Sequence, residues 1–158
     1  TRMCLEFLEL EVKPGGKVLD LGCGSGILSI ASLLLGAASA VAVDIDPIAE
    51  HIVRENAAMN GITDQSLSVY TGDVLSDEAV IRKIRGTYDL VVANIVADVI
   101  IRLCPLAKTC CKKGAPFIVS GIIDERLEEV CARLKETGFV QESVHSAEGW
   151  NAVLSRAQ

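Results

Sequence analysis

Three glycines alternate in the run Asp20-Leu21-Gly22-Cys23-Gly24-Ser25-Gly26, between an apolar strand pattern and a helical one. A turn of this kind lets the backbone pass within contact distance of a ligand at the carboxyl end of a first parallel strand. Asp44 closes the next strand pattern twenty residues after Gly24. At that distance a carboxylate can accept both hydroxyls of a ribose, so the pair points to an adenosine-type ligand. Asp46 competes for the ribose role, but its position before Pro47 suits a helix cap better. A pyrophosphate site would prefer G-x-G-x-x-G, whereas here the third glycine falls one residue early and Ile27 takes its place. The carboxylate of Asp20 would also repel a phosphate and suits a ligand carrying an amino group or a sulfonium. Two further polar residues end strand patterns: Asp73, expected at the adenine end of the pocket, and Asn94, expected beside the reacting group.

The elements that must position these residues alternate regularly. Strands are expected at 17–21, 40–43, 68–71, 88–93 and 117–121, with helices at 26–35, 77–84, 95–111 and 124–137 between them. A further helix is expected to be capped by Asp46, with Pro47 at its first position, a Glu50–Arg54 pair on its surface and Asn60-Gly61 at its end. Pro105 is expected to kink or restart the helix that contains it. The strand patterns at 139–144 and 150–154 flank a tight turn at Glu148-Gly149 and have no helix between them, so they must be antiparallel. This order implies an α/β fold: a doubly wound, seven-stranded, mostly parallel sheet of Rossmann-like type with a terminal antiparallel pair, forming one domain over 1–158. The chain opens on Thr1 inside a helical pattern, which is expected if it continues a longer parent.

Composition excludes several functions. The formal net charge is −6 and the 15 Lys and Arg residues are scattered, so a nucleic-acid grip by this domain is not expected. An acidic surface would instead speed encounter with a basic protein. The six cysteines form no C-x-x-C pair and lie in apolar segments, as reduced core residues do in a cytoplasmic protein; no metal site is expected. Leu21–Val43 is uncharged and long enough to cross a bilayer, but four glycines interrupt it, so a membrane span is not expected. His51 and His145 are read as surface or structural residues, and Trp150 as either an acceptor-pocket wall or a packing residue.

The run Val18 to Leu28 resembles motif I of the class I S-adenosyl-L-methionine-dependent methyltransferases, and Val43-Asp44-Ile45-Asp46-Pro47 with Glu55 to Gly61 resembles the segment that follows it. Ala93-Asn94-Ile95-Val96-Ala97, Ser120-Gly121-Ile122 and Glu148-Gly149-Trp150 resemble the PrmA family, which methylates amino groups of a large-subunit ribosomal protein. The resemblance covers nearly the whole chain. It implies an S-adenosylmethionine-dependent protein N-methyltransferase with a ribosomal-protein partner, and cofactor contacts from Thr1, Asp20, Gly22, Cys23, Gly24, Gly26, Asp44, Ile45, Asp73, Val74 and Asn94. Asn94 would also be the catalytic residue. The resemblance further implies that Thr1 matches the last threonine of a family stretch that helps close over the methionine end, and that the family's amino-terminal substrate-recognition domain is absent from this chain. Alternatives are methylation of adenine amines in RNA or DNA, a small-molecule acceptor, a non-catalytic nucleotide-binding module, or a nicotinamide dehydrogenase. The adenine methyltransferases carry an aromatic after the asparagine, and Ile95-Val96-Ala97 offers none.

Overall fold

The computed structural model describes residues 1–158. Its elements run α1 (Arg2–Glu11), β1 (Lys17–Leu21), α2 (Ile27–Leu34), β2 (Ser39–Asp44), α3 (Ala49–Met59), β3 (Leu67–Thr71), α4 (Glu78–Ile84), β4 (Leu90–Asn94), α5 (Ala97–Cys110), β5 (Pro116–Ile123), α6 (Leu127–Glu136), β6 (Phe139–Ala147) and β7 (Trp150–Ala157). One seven-stranded sheet orders them β3-β2-β1-β4-β5-β7-β6. β1 to β5 are mutually parallel, and β7 pairs antiparallel with both β5 and β6. The expected doubly wound fold with a terminal antiparallel pair is therefore the observed one.

Strands buried on both faces need apolar residues at successive positions, and β1, β2 and β4 supply them. Leu19, Leu21, Val91 and Ala93 face one core, filled by Ile100, Leu103 and Cys104 of α5 and by Val130 and Leu134 of α6. Val18, Val92 and Ala42 face the other, filled by Phe7 and Leu8 of α1, Leu28 of α2 and Val53 of α3. Because the strand order reverses between β1 and β4, the crossover loops diverge there and leave a crevice at the carboxyl ends of the strands.

Two local expectations are corrected. Asp46 does not cap α3: its carboxylate accepts from the Ile48 N–H at 2.9 Å, and the helix begins at Ala49 with no side-chain cap. The physical reason is that the short Asx turn of Asp46-Pro47-Ile48 completes its own hydrogen bond before the helical turn starts. Pro105 does not restart α5, which runs unbroken through it. A proline at this position leaves the carbonyl four residues earlier without its helical donor. That carbonyl, of Ile101, accepts from Arg133 Nε at 3.3 Å, so the neighbouring helix supplies the missing donor. The expected Glu50–Arg54 pair forms at 2.9 Å.

Candidate functional site

The glycine turn after β1 is locked to the tip of β2. Gly22 and Cys23 donate to the Val43 carbonyl at 2.8 and 3.1 Å, and Gly24 N–H donates to Asp44 Oδ2 at 2.8 Å. The other oxygen of Asp44 accepts from Asp46 N–H at 2.9 Å. Two backbone donors thus fix the carboxylate at the cleft, while each oxygen keeps an unused lone pair for a further donor. Gly22 sits against Ile95: a Cβ there would lie 2.4 Å from Ile95 Cγ2, so the β1 turn and the β4 tip touch only because this residue is glycine. Gly121 allows the same approach from β5, since a Cβ on it would meet the Ile95 carbonyl oxygen at 2.5 Å. Ile95 N–H in turn donates to the Ser120 carbonyl at 3.0 Å.

A cleft of about 430 Å³ opens along these strand tips. Gly22, Asp44, Ile45, Asp73 and Val74 line it, which brings together five residues singled out in the sequence. The Asp73 carboxylate accepts from Leu75 N–H at 2.9 Å and Ser76 Oγ at 2.7 Å, which holds its pKa below the usual carboxylate range, with the charge of Arg102 acting in the same direction. Asp73 does not cap the next helix; Asp77 does, accepting from Ala79 and Val80. Sequence reasoning missed Leu75, Val96, Val99, Arg102 and Leu103 on the cleft wall. Val99 and Leu103 lie on the apolar face of α5, and a helix face that turns from core to cleft keeps one periodicity throughout.

Several expected contacts lie off that wall. Asp20 is fully buried between β1 and α2, where one carboxylate oxygen accepts from Ser29 N–H at 3.1 Å and Ser29 Oγ at 2.7 Å. Its other oxygen, Oδ1, has no partner. Burial pushes its pKa up to about 6, partly offset by the Ser29 bonds and reinforced by the charge of Asp44. Cys23 is buried in the α1–α3 core, and Gly26 packs on Val53. Asn94 ends β4 outside the main cleft, where its Nδ2 donates to Thr1 Oγ1 at 3.0 Å across 93 residues of sequence. Thr1 lines an adjoining depression with Glu148 and Trp150, and Trp150 is half exposed there, not packed in the core. His51 is exposed beside Glu55, whereas His145 stacks on Phe7 at 4.2 Å; neither reaches the cleft. No grouping of His, Cys, Asp and Glu suits a metal ion, and no helix is long and apolar enough to cross a membrane.

A sheet of this order, with a glycine turn bonded to an acid at the adjacent strand tip, defines the class I S-adenosylmethionine-dependent methyltransferase fold. Within that class the chain belongs to the ribosomal protein L11 methyltransferase (PrmA) family, whose model matches residues 1–158. It is 46% identical over 136 residues to the ribosomal protein L11 methyltransferase of Caldanaerobacter subterraneus subsp. tengcongensis, covering 86% of this chain and 41% of that protein. It is 44% identical over 156 residues to the same-named protein of Thermoanaerobacter pseudethanolicus, covering 99% of this chain and 48% of the relative. The chain thus spans less than half the length of these relatives. A crystal structure of ribosomal protein L11 methylase from Lactobacillus delbrueckii subsp. bulgaricus superposes with a TM-score of 0.87 at 32% identity, over 100% of this chain and 79% of that one. An RNA methyltransferase from Salinibacter ruber in complex with S-adenosyl-L-homocysteine shares the fold at a TM-score of 0.74 and 20% identity, over 100% of this chain and 92% of the other.

Proposed function

We propose that the chain is the catalytic part of an S-adenosylmethionine-dependent methyltransferase that modifies amino groups of a large-subunit ribosomal protein. The observation that carries the reading is the Gly24–Asp44 bond at 2.8 Å, which presents an oriented carboxylate at the cleft between the β1 and β2 tips. The residues present fit the ligand. Asp44 and Asp73 are acceptors facing a mostly apolar cleft, as ribose hydroxyls and an exocyclic amine require. The unpartnered Oδ1 of Asp20, in the strand that leads into the turn, adds negative potential that favours a sulfonium over a phosphate. The named relatives support the acceptor class, being called ribosomal protein L11 methyltransferases.

When bound, S-adenosylmethionine supplies an electrophilic methyl group on a positively charged sulfur. The protein's task is then to hold an amine in line with that methyl, and orientation of such a pair is worth on the order of 7–11 kcal/mol. Asn94 is suited to it: with Nδ2 engaged by Thr1 Oγ1, its Oδ1 and its backbone carbonyl remain as acceptors for a neutral amine. A neutral amine held by these acceptors would present its lone pair to the methyl group, with its N–H bonds directed at Asn94. Neither histidine lines the cleft, so no imidazole is placed there to take the proton that a lysine ammonium must lose before attack. Half-exposed Trp150 borders the depression on the Thr1 side and suits the aliphatic stem of a lysine. We extend the reading to a soluble, cytoplasmic setting and to a domain that does not itself grip nucleic acid.

Incubating the full-length parent with methyl-labelled cofactor and a mixture of ribosomal proteins, ribosomal RNA and small amines tests the assignment. Label on a large-subunit protein supports it, whereas label on RNA alone would replace it with the nucleic-acid alternative. Asn94→Ala should lower turnover by at least tenfold while leaving cofactor affinity within a factor of about two. Unchanged turnover would move the acceptor site elsewhere.

A further inference from the structure

The main cleft has one cation on its wall, Arg102 of α5. Val99 and Leu103 flank it on the same helix face, and all three line the cleft opposite the β3 tip that carries Asp73. The arginines of α6 and its leading turn are engaged, Arg126 with Asp98 and Glu129 and Arg133 with Glu136 and the Ile101 carbonyl. The Arg102 guanidinium has no hydrogen bond or ion pair within the chain, although its charge reaches Asp73. Arg102 is exposed and also borders the α5–α6 groove with Glu129 and Glu136, but its guanidinium pairs with neither carboxylate, so it is free to donate into the cleft.

An ionised carboxylate only accepts hydrogen bonds and a guanidinium only donates them. A flat ligand edge that satisfies both must show a donor beside an acceptor, as adenine does with its N6 amine next to a ring nitrogen. A 6-oxo purine sets an acceptor, O6, where the carboxylate needs a donor, with the acceptor N7 beside it on one edge and the donor N1–H on the other, so neither edge satisfies both side chains. We propose that Arg102 is a cofactor-binding and base-selecting residue, donating to a ring nitrogen of the adenine whose exocyclic amine faces Asp73. The proposal rests on the adenosine reading of the cleft and adds the residue that selects its base.

Calorimetric titration of the chain with S-adenosylhomocysteine, its 1-deaza and 7-deaza analogues and S-inosylhomocysteine tests it, comparing the unsubstituted chain with Arg102→Met and Arg102→Lys. The unsubstituted chain should bind S-adenosylhomocysteine about tenfold more tightly than Arg102→Met does, with Arg102→Lys between them. One deaza analogue should show the same loss on the unsubstituted chain and be insensitive to Arg102→Met. S-inosylhomocysteine should bind the unsubstituted chain at least tenfold more weakly than S-adenosylhomocysteine. The thermal midpoint of Arg102→Met without ligand should not move. Equal affinity of Arg102→Met and the unsubstituted chain for S-adenosylhomocysteine would refute the role of Arg102 and leave the cofactor reading standing. So would deaza analogues that bind the unsubstituted chain as tightly as the parent compound. Failure of the unsubstituted chain to bind S-adenosylhomocysteine would instead bring down the cofactor reading, and this inference with it.

Discussion

Asp20 and Asp44 are carboxylates on adjacent strands, yet their surroundings give them opposite work. Asp44 stands at the cleft with both oxygens aimed by backbone donors, so replacing it removes a ligand acceptor and frees the glycine turn. Asp44→Ala should therefore weaken S-adenosylhomocysteine binding by roughly ten- to a hundredfold, the range of one or two hydrogen bonds to a charged group, as calorimetry will read. Asp20 is inside the protein, with one oxygen unpartnered and a pKa raised by burial from the ordinary 3.8 to about 6. A raised folded-state pKa means that the folded form holds the proton more tightly than the unfolded chain does. Its contribution to stability is present below about pH 4, is lost as pH rises towards 6, and changes little above that. The span corresponds to about 3 kcal/mol. Asp20→Asn should flatten this slope and make the variant more stable than the parent at pH 8, measured by urea unfolding at several pH values. An unchanged slope would show that the carboxylate is solvated in the folded protein.

At the scale of elements, α5 shows how a helix tolerates an interior proline. The Ile101 carbonyl that Pro105 leaves unpaired is taken up by Arg133 of α6, so the two helices are joined by a bond that neither sequence segment reveals alone. Arg133→Met should cost about 1–2 kcal/mol, because it orphans that carbonyl while keeping most of the side-chain packing. Adding Pro105→Ala restores an intrahelical donor, so the loss caused by Arg133→Met should shrink in that background. A double-mutant cycle by chemical denaturation measures the coupling, and additive effects would mean that the Arg133 bond contributes nothing. The meeting of β1, β4 and β5 at Ile95 is a similar joint. There Gly22 and Gly121 permit a close approach that fixes the backbone between Asn94 and the cleft.

For the whole molecule, ligand binding and folding are linked, since the cleft exists only when β1, β2, β3 and α5 are assembled around it. S-adenosylhomocysteine at a hundred times its dissociation constant should stabilise the chain by about 2.7 kcal/mol, whereas NAD at the same concentration should leave the melting temperature unchanged. Thermal scans with each ligand separate the methyltransferase reading from a nicotinamide one. Stabilisation by NAD alone would reverse the assignment. The net charge of −6 acts on the same scale, favouring encounter with a basic partner at low salt without fixing where that partner docks.

The sequence by itself determined the class of fold and the heart of the cleft, because both are written in local pattern. Uninterrupted apolar strands, glycine helix ends and acids at strand tips each depend on neighbours within a few positions, so β1, β2 and the Gly24–Asp44 pair are legible without coordinates. Tertiary structure alone decided what non-local packing controls. Strand order set β7 between β5 and β6, and packing of α2 on β1 buried Asp20 with Ser29. The fold also joined Thr1 to Asn94 across 93 residues and turned one side chain of α5, Arg102, towards the cleft. A residue's own periodicity says which face of a helix it occupies, but what lies opposite that face is fixed only when the chain has closed on itself.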